Sequence, residues 1–169
     1  SQLTSVAHEV GCCEYVPRAG ICFIITTPRV REVLAADFGD RLVQTWYFHE
    51  LNWWLENYHL HPDTYSCRVG KGGLRAVQQF NEYVFEESEG FTKDCYVATM
   101  DIRSFFMSID TEVAVRLMTN FIKTKYNGHH KNLLIYLTRI IYQSIPQEHC
   151  FLKSKRSMWD MLDPEKSLL

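Results

Sequence analysis

The strongest constraint on the fold is a long series of apolar residues at steps of three and four, from Phe38 to Tyr58. Such steps place side chains on one face of an α-helix, which has about 3.6 residues per turn. The members of this face are Phe38, Leu42, Val43, Trp46, Tyr47, Leu51, Trp54, Leu55 and Tyr58. The series therefore predicts one long amphipathic helix.

Three apolar runs are typical of strands rather than helices. Residues 21–26 and 30–35 are β-rich and flank Pro28, which predicts a hairpin with the proline in or beside its turn. The run of residues 95–102 is apolar enough to predict a strand lying centrally in a sheet.

Three further helices are predicted. The first follows a loop at residues 59–73, which contains glycines and a proline. The second is capped by Asp110 or Thr111 and ends before Asn127, and the third is ended by Pro146. Their apolar faces consist of Leu74, Val77, Phe80 and Val84, of Val113, Leu117, Met118, Phe121 and Ile122, and of Leu133, Leu134, Leu137, Ile140 and Ile141. This mixture predicts an α+β fold with helices packed around short antiparallel strands.

Composition indicates a globular chain. Hydrophobic residues make up 46% and charged residues 22%. No apolar run approaches the roughly 20 residues of a membrane helix, and the N-terminus lacks the blocks of a secretory signal. The six cysteines show no C-x-x-C spacing, so we expect reduced thiols and a cytoplasmic protein. The chain begins at Ser1 rather than at Met, so we expect a processed chain or an excised piece.

The net charge of −2 does not indicate a nucleic-acid-binding protein. Residues 1–100 contain 8 Lys and Arg against 13 Asp and Glu, a charge of −5, whereas residues 101–169 contain 10 against 7, a charge of +3. This asymmetry is mild. A surface for nucleic acid would have to come from local basic clusters or from parts outside this sequence.

The sharpest chemical feature is Asp101 at the end of the apolar run, followed by an aromatic turn that leads into a helix. A lone aspartate at the end of a strand is more often a cap or a satisfied turn residue. The context of Asp101 is more specific. Residues 96–110 resemble the first palm motif of reverse transcriptases related to group II intron, retron and diversity-generating retroelement enzymes.

The resemblance covers residues 20–169, in the order of the family. Residues 28–43, with basic residues before an Asp-Arg pair, are similar to a motif of the fingers. Residues 63–72, with an aromatic, an arginine and a Gly-Lys-Gly loop, resemble the next motif, and residues 159–162 and 165–169 resemble the stretch before the second palm motif. The resemblance implies fingers at residues 1–94 and the beginning of a palm at residues 95–169.

The family's chemistry implies a role for each matching residue. Asp101 would be the catalytic carboxylate and would bind Mg²⁺ together with the backbone carbonyl of Ile102. Phe106 would exclude the ribose 2′-hydroxyl. The residues implied for the incoming nucleotide are Arg29, Arg31, Ser104, Phe105 and Phe106, and those implied for the template are Arg68, Gly70 and Lys71.

The implied partners are an RNA template, a DNA or RNA primer and deoxynucleoside triphosphates, with no membrane. The family completes its site with a paired-aspartate motif, but this sequence contains no Asp-Asp. We therefore expect this chain alone to be inactive as a polymerase. We also expect that a truncated palm would expose an unpaired edge through which the chain could self-associate.

Several plainer interpretations stay open. Phe105 and Phe106 could be core residues, Arg31 could belong to an exposed strand face, and the loop with Lys71 could be only solvated. Arg41 is interpreted as an ion pair with Asp40. The paired histidines and the basic cluster are interpreted as surface groups; they are His59, His61, His129, His130, Lys153, Lys155 and Arg156. At the level of function, the alternatives are a non-catalytic RNA-binding or maturase-like module and a degenerate polymerase-like interaction protein.

Overall fold

The computed structural model describes residues 2–27, 31–102, 105–144 and 150–152. Within these ranges the chain forms six helices and three strands, an α+β fold. The helices are α1 (Gln2–Gly11), α2 (Phe38–Tyr58), α3 (Gly73–Glu87), α4 (Phe105–Ser108), α5 (Thr111–Lys125) and α6 (Lys131–Gln143), and the strands are β1 (Gly20–Ile25), β2 (Arg31–Ala35) and β3 (Cys150–Leu152).

The chain divides into two compact units. The first unit combines Ser1–Trp53 with Asp110–Leu169, and the second unit is Trp54–Ile109. The division into fingers and palm at residues 94 and 95 rests on the sequence resemblance and stays a prediction. None of the described helices is both long enough and apolar enough to cross a membrane.

The predicted hairpin is confirmed. Strands β1 and β2 pair antiparallel, with Cys22 opposite Leu34. A side chain at Gly20 would meet the carbonyl oxygen of Ala35 at 2.7 Å, so only glycine fits where β1 begins. Strand β3 pairs with the other edge of β1 and is parallel to it, which corrects the expectation of purely antiparallel strands. Because β3 returns from far along the chain, it can approach β1 in the parallel direction.

The predicted long helix is confirmed as α2 and supplies part of the core of the first unit. Val43, Tyr47 and Leu51 recur at four-residue steps on its buried face. Helix α6 contributes Leu134 and Leu137, which are fully buried, and α5 packs against α6. The remaining buried apolar residues of this unit are Val6, Tyr15, Cys22, Phe121, Ile122 and Tyr126.

The start of α2 is held by a buried carboxylate. Asp40 accepts hydrogen bonds from the hydroxyl of Tyr15 at 2.6 Å and from the backbone N–H of Arg18 at 2.8 Å. The expected ion pair between Asp40 and Arg41 is wrong, since the guanidinium of Arg41 lies over the ring of Phe38 instead. Neighbours in a helix point in different directions, so Asp40 faces the core while Arg41 faces outwards.

The helix predicted after the glycine loop is confirmed as α3, and most of its apolar face is uncovered among the described residues. Leu74 is 77% exposed, and Val77 and Phe80 are also exposed. An amphipathic pattern identifies the helix, whereas burial requires a second element to cover the apolar face. Within the described part of the second unit, α3 is the only long helix.

The strand predicted for residues 95–102 is wrong. These residues belong to no strand, and Tyr96 is 99% exposed and Met100 88% exposed. A strand forms only where neighbouring backbone groups complete its hydrogen bonds, and the described residues bring no such neighbour to this segment.

The two C-terminal helices are confirmed, but the face expected to be buried on the first is only partly so: Phe121 and Ile122 are buried, whereas Leu117 is 62% exposed. Helix α5 begins after Asp110, whose carboxylate accepts the backbone N–H of Val113 at 3.0 Å and so caps the helix. It ends at Lys125, just before the predicted break. Helix α6 ends at Gln143, and Pro146 lies outside the described residues.

Candidate functional site

The loop between α2 and α3 is organised around Arg68. Its Nε lies 3.0 and 2.9 Å from the two carboxylate oxygens of Glu56, which belongs to the last turn of α2. Its Nη1 donates to the carbonyl oxygens of His61 at 2.8 Å and of Thr64 at 2.9 Å. A planar guanidinium can satisfy several acceptors at once, so one side chain fixes the path of the loop.

Glu56 and Arg68 each stabilise the charged form of the other. Hydrogen bonding from Arg68 holds the pKa of Glu56 below its ordinary value, and hydrogen bonding to Glu56 raises the pKa of Arg68. The side chain of Arg68 is only 10% exposed, so most of its donors are directed at the protein itself. Arg68 therefore mainly fixes the shape of the loop.

Two glycines and a lysine form the outer part of the same loop. Gly70 and Gly72 have φ angles of 72° and 116°, and a side chain at either position would meet no other atom within 4 Å. Glycine is favoured there by the backbone conformation rather than by lack of space. The ammonium of Lys71 donates to the carbonyl of Pro62 and lies 4.8 Å from the centre of the Tyr65 ring.

Asp63 ties the loop to α3. Its carboxylate accepts the hydroxyl of Tyr83 at 2.9 Å and that of Tyr65 at 3.4 Å. The hydrogen bond to Asp63 raises the pKa of Tyr83, while burial is the main cause that raises the pKa of Tyr65. The loop is therefore ordered by hydrogen bonds, and it presents backbone, lysine and aromatic groups.

Asp101 and Ile102 lie in the extended segment of the second unit, and both are exposed. Among the described residues, no group of three His, Cys, Asp or Glu side chains could hold a metal ion. Mg²⁺ prefers six oxygen ligands and is often bound by one or two carboxylates together with phosphates of the substrate. Asp101 and the carbonyl of Ile102 fit part of such a site but do not complete it.

The residues implied for the nucleotide are only partly described. Phe105 begins the short helix α4 and is 49% exposed, while nothing is described of the Phe106 side chain. Arg31 is the first residue of β2 and pairs through its backbone with Ile25, at the turn end of the hairpin. Arg29 and Ser104 lie outside the described residues.

The structure thus brings Arg68, Gly70 and Lys71 together in one loop, as the sequence predicted. The sequence did not identify Glu56 or Tyr83 as partners of this loop. The only available signal was the position of Glu56 near the end of a predicted helix, which does not specify the arginine that it binds.

The chain was also compared with known proteins. No family model, no curated protein and no solved structure matches it.

Proposed function

We propose that the chain forms the fingers and the beginning of the palm of an RNA-directed DNA polymerase, related to group II intron, retron and diversity-generating retroelement enzymes. In its complete form the protein adds deoxynucleotides to a primer on an RNA template with Mg²⁺, in the cytoplasm. The observation that carries this proposal is the order of the motifs that surround Asp101, from the basic hairpin through the Gly-Lys-Gly loop.

The hairpin supports a contact with the triphosphate. Arg31 begins β2 directly after the turn, at one end of the sheet. An arginine at such a position can present several N–H groups to the oxygens of a phosphate. Arg29, two residues earlier in the sequence, would add a second cation.

The segment around Asp101 supports a role in catalysis. Its carboxylate is exposed and forms no salt bridge with any described residue. A free carboxylate and the carbonyl of Ile102 can bind Mg²⁺, which neutralises phosphate charge in phosphoryl transfer. The backbone N–H groups of Ser104 and Phe105 would meet the triphosphate, and Phe106 would exclude the ribose 2′-hydroxyl.

The glycine loop supports a contact with the template. The bonds from Arg68 to Glu56 and to two backbone carbonyls fix the path of the loop that precedes α3. Gly70 leaves the backbone accessible, and Lys71 supplies a cation next to an aromatic ring. Both groups suit the backbone of a nucleic-acid strand.

The sequence contains no Asp-Asp, so the two further carboxylates of such a site would have to come from residues outside these 169. The first test is to read the coding frame beyond Leu169 for an aromatic-x-Asp-Asp motif. We expect the 169-residue chain by itself to show no primer extension. Extension above contamination controls would contradict this.

The decisive experiment uses the complete protein. Asp101→Asn should abolish DNA synthesis on an RNA template and leave RNA binding nearly unchanged. Asp110→Asn is the matched control, because asparagine caps a helix as well as aspartate does and synthesis should persist. RNA binding without any synthesis by the unaltered complete protein would favour the non-catalytic module, and synthesis by Asp101→Asn would contradict the role of Asp101.

A further inference from the structure

Helices α5 and α6 of the first unit enclose a groove of about 470 Å³ that is lined mainly by polar and basic side chains. Those that carry the argument are Arg116, Thr119, Asn120, Lys123, Arg139 and Gln143. On α5 they recur at steps of three and four residues, so they share one face of that helix. None of these positions was singled out by the sequence motifs.

Three cations of the groove have no protein partner in the described part of the chain. The guanidinium groups of Arg116 and Arg139 and the ammonium of Lys123 take part in no hydrogen bond or ion pair there. Glu112 also lines the groove, but it forms no ion pair with Arg116 although four residues separate them. The lining therefore carries more positive than negative charge.

Thr119 lies between these cations on the lining of the groove. Its Oγ1 is buried and has no hydrogen-bond partner among the described residues. Two other threonines of these helices satisfy their hydroxyls on the preceding turn: Thr124 donates to the carbonyl of Asn120 and Thr138 to that of Leu134. A buried hydroxyl without a partner costs free energy, so this position of the lining is strained.

We propose that the α5–α6 groove binds the phosphate backbone of a single-stranded nucleic acid. Arg116 and Lys123 are seven residues apart on α5, about 10 Å along the helix at roughly 1.5 Å per residue, which is longer than one phosphate group. Linked phosphates fit this spacing of cations better than a single small anion. This inference does not depend on the polymerase assignment.

The two amides of the groove favour a single strand over a duplex. Asn120 and Gln143 lie among the cations, and each offers both donors and an acceptor. A single strand exposes the edges of its bases to such groups, and RNA also offers ribose 2′-hydroxyls. In a duplex the base edges are paired, so amides placed along the backbone would not contact them. The cations would then position the strand and the amides would contact its bases or sugars.

The test measures binding of a fluorescein-labelled single-stranded RNA oligonucleotide to the 169-residue chain by anisotropy at several salt concentrations. Each phosphate contact with a single strand contributes about 0.7 to the logarithmic salt slope, so three cations should give about 2, or about 20-fold weaker binding in 200 than in 50 mM salt. The variant R116Q/K123Q/R139Q should lose this contribution and bind at least about tenfold more weakly at low salt.

Matched variants separate the groove from overall charge. R41Q/R75Q/K93Q removes the same charge from exposed positions outside the groove and should change the slope little. Thermal melting checks that each variant is folded. We expect that it is, because all three groove cations are exposed.

Three results would overturn the proposal. The first is equal affinity and equal salt slope for the wild type and R116Q/K123Q/R139Q. The second is tighter binding of a duplex of the same sequence, which would exclude preference for a single strand. The third is binding of inorganic pyrophosphate without binding of RNA, which would identify a small-anion site.

Discussion

The hydroxyl oxygen of Tyr47 lies 2.8 Å from that of Thr138, and this buried hydrogen bond joins α2 to α6. Thr138 also lies 2.7 Å from the carbonyl oxygen of Leu134, to which it donates its single proton. Tyr47 must therefore be the donor to Thr138. Burial raises the pKa of Tyr47, in keeping with a neutral hydroxyl at this place.

This geometry predicts coupled effects on stability. Tyr47→Phe should cost about 1 kcal/mol, whereas Thr138→Val should cost about 1–3 kcal/mol because it leaves the buried Tyr47 hydroxyl without an acceptor. The double variant should lose less than the sum of the two, since no orphaned group is left. Denaturant unfolding measures all three, and strictly additive losses would contradict the bond.

At Thr119 we expect substitution by valine to have the opposite effect on stability. Its hydroxyl is buried without a partner, so Thr119→Val removes an unsatisfied group and keeps the shape of the side chain. We expect the free energy of unfolding to stay within about 0.5 kcal/mol of the wild type or to rise by up to about 1 kcal/mol. Thr138→Val, measured in the same way, provides the destabilised control. A loss of similar size at both positions would mean that Thr119 has a partner.

Asp40 should be sensitive to loss of its charge. Its two carboxylate oxygens accept from Tyr15 and from the backbone of Arg18, and an asparagine offers only one acceptor for these two donors. Asp40→Asn should therefore cost about 1.5–3 kcal/mol of unfolding free energy. Asp37→Asn is the matched control: Asp37 accepts the N–H of Gly39 at the start of α2, a role that asparagine fulfils equally well. Equal losses for the two variants would contradict the special role of Asp40.

The pair of Glu56 and Arg68 predicts acid sensitivity of the glycine loop. The pKa of Glu56 is lowered in the folded chain. The contribution of Glu56 to the stability of the loop is therefore fully present above the ordinary glutamate pKa of about 4.3, and it is lost as the pH falls through the lowered pKa. The carboxyl signal of Glu56 and the amide signals of residues 61–71, followed by NMR, should change together below that ordinary value. Glu56→Gln should remove the shared transition, and titration of Glu56 at or above its ordinary value would exclude the pairing.

Local pattern was sufficient for most helices and for the hairpin. The spacing of apolar residues fixes the face of α2, and the cap at Asp110 is visible three residues before the N–H that it accepts. Helix α1 was missed, although its apolar residues line a groove against α2 that includes Leu42 and Trp46. The strand predicted for residues 95–102 failed because an apolar run specifies a strand only when a partner strand is present.

Sequence was less informative about sites because their residues come from separate elements. The loop with Gly70 and Lys71 was visible as a loop, but its dependence on Glu56 is a contact across 12 residues. The cations of the α5–α6 groove face each other only once two helices have packed, so Arg139 carries no local signal that it lies near Arg116. The order of the motifs suggested a function, whereas the grouping of unpaired cations in the α5–α6 groove became visible only in the structure.

Asp101 and Asp110 allow a final comparison between two aspartates of similar exposure and different role. Asp110 caps α5 through the N–H of Val113, so Asp110→Ala should lower the free energy of unfolding by about 0.5–2 kcal/mol. Asp101 is exposed and accepts no such bond from the described residues, so Asp101→Ala should change it by less than about 0.5 kcal/mol. Both values come from urea unfolding of the same chain. A destabilisation by Asp101→Ala as large as that by Asp110→Ala would show that Asp101 supports the fold, and it would remove the argument that its carboxylate is free for a metal ion.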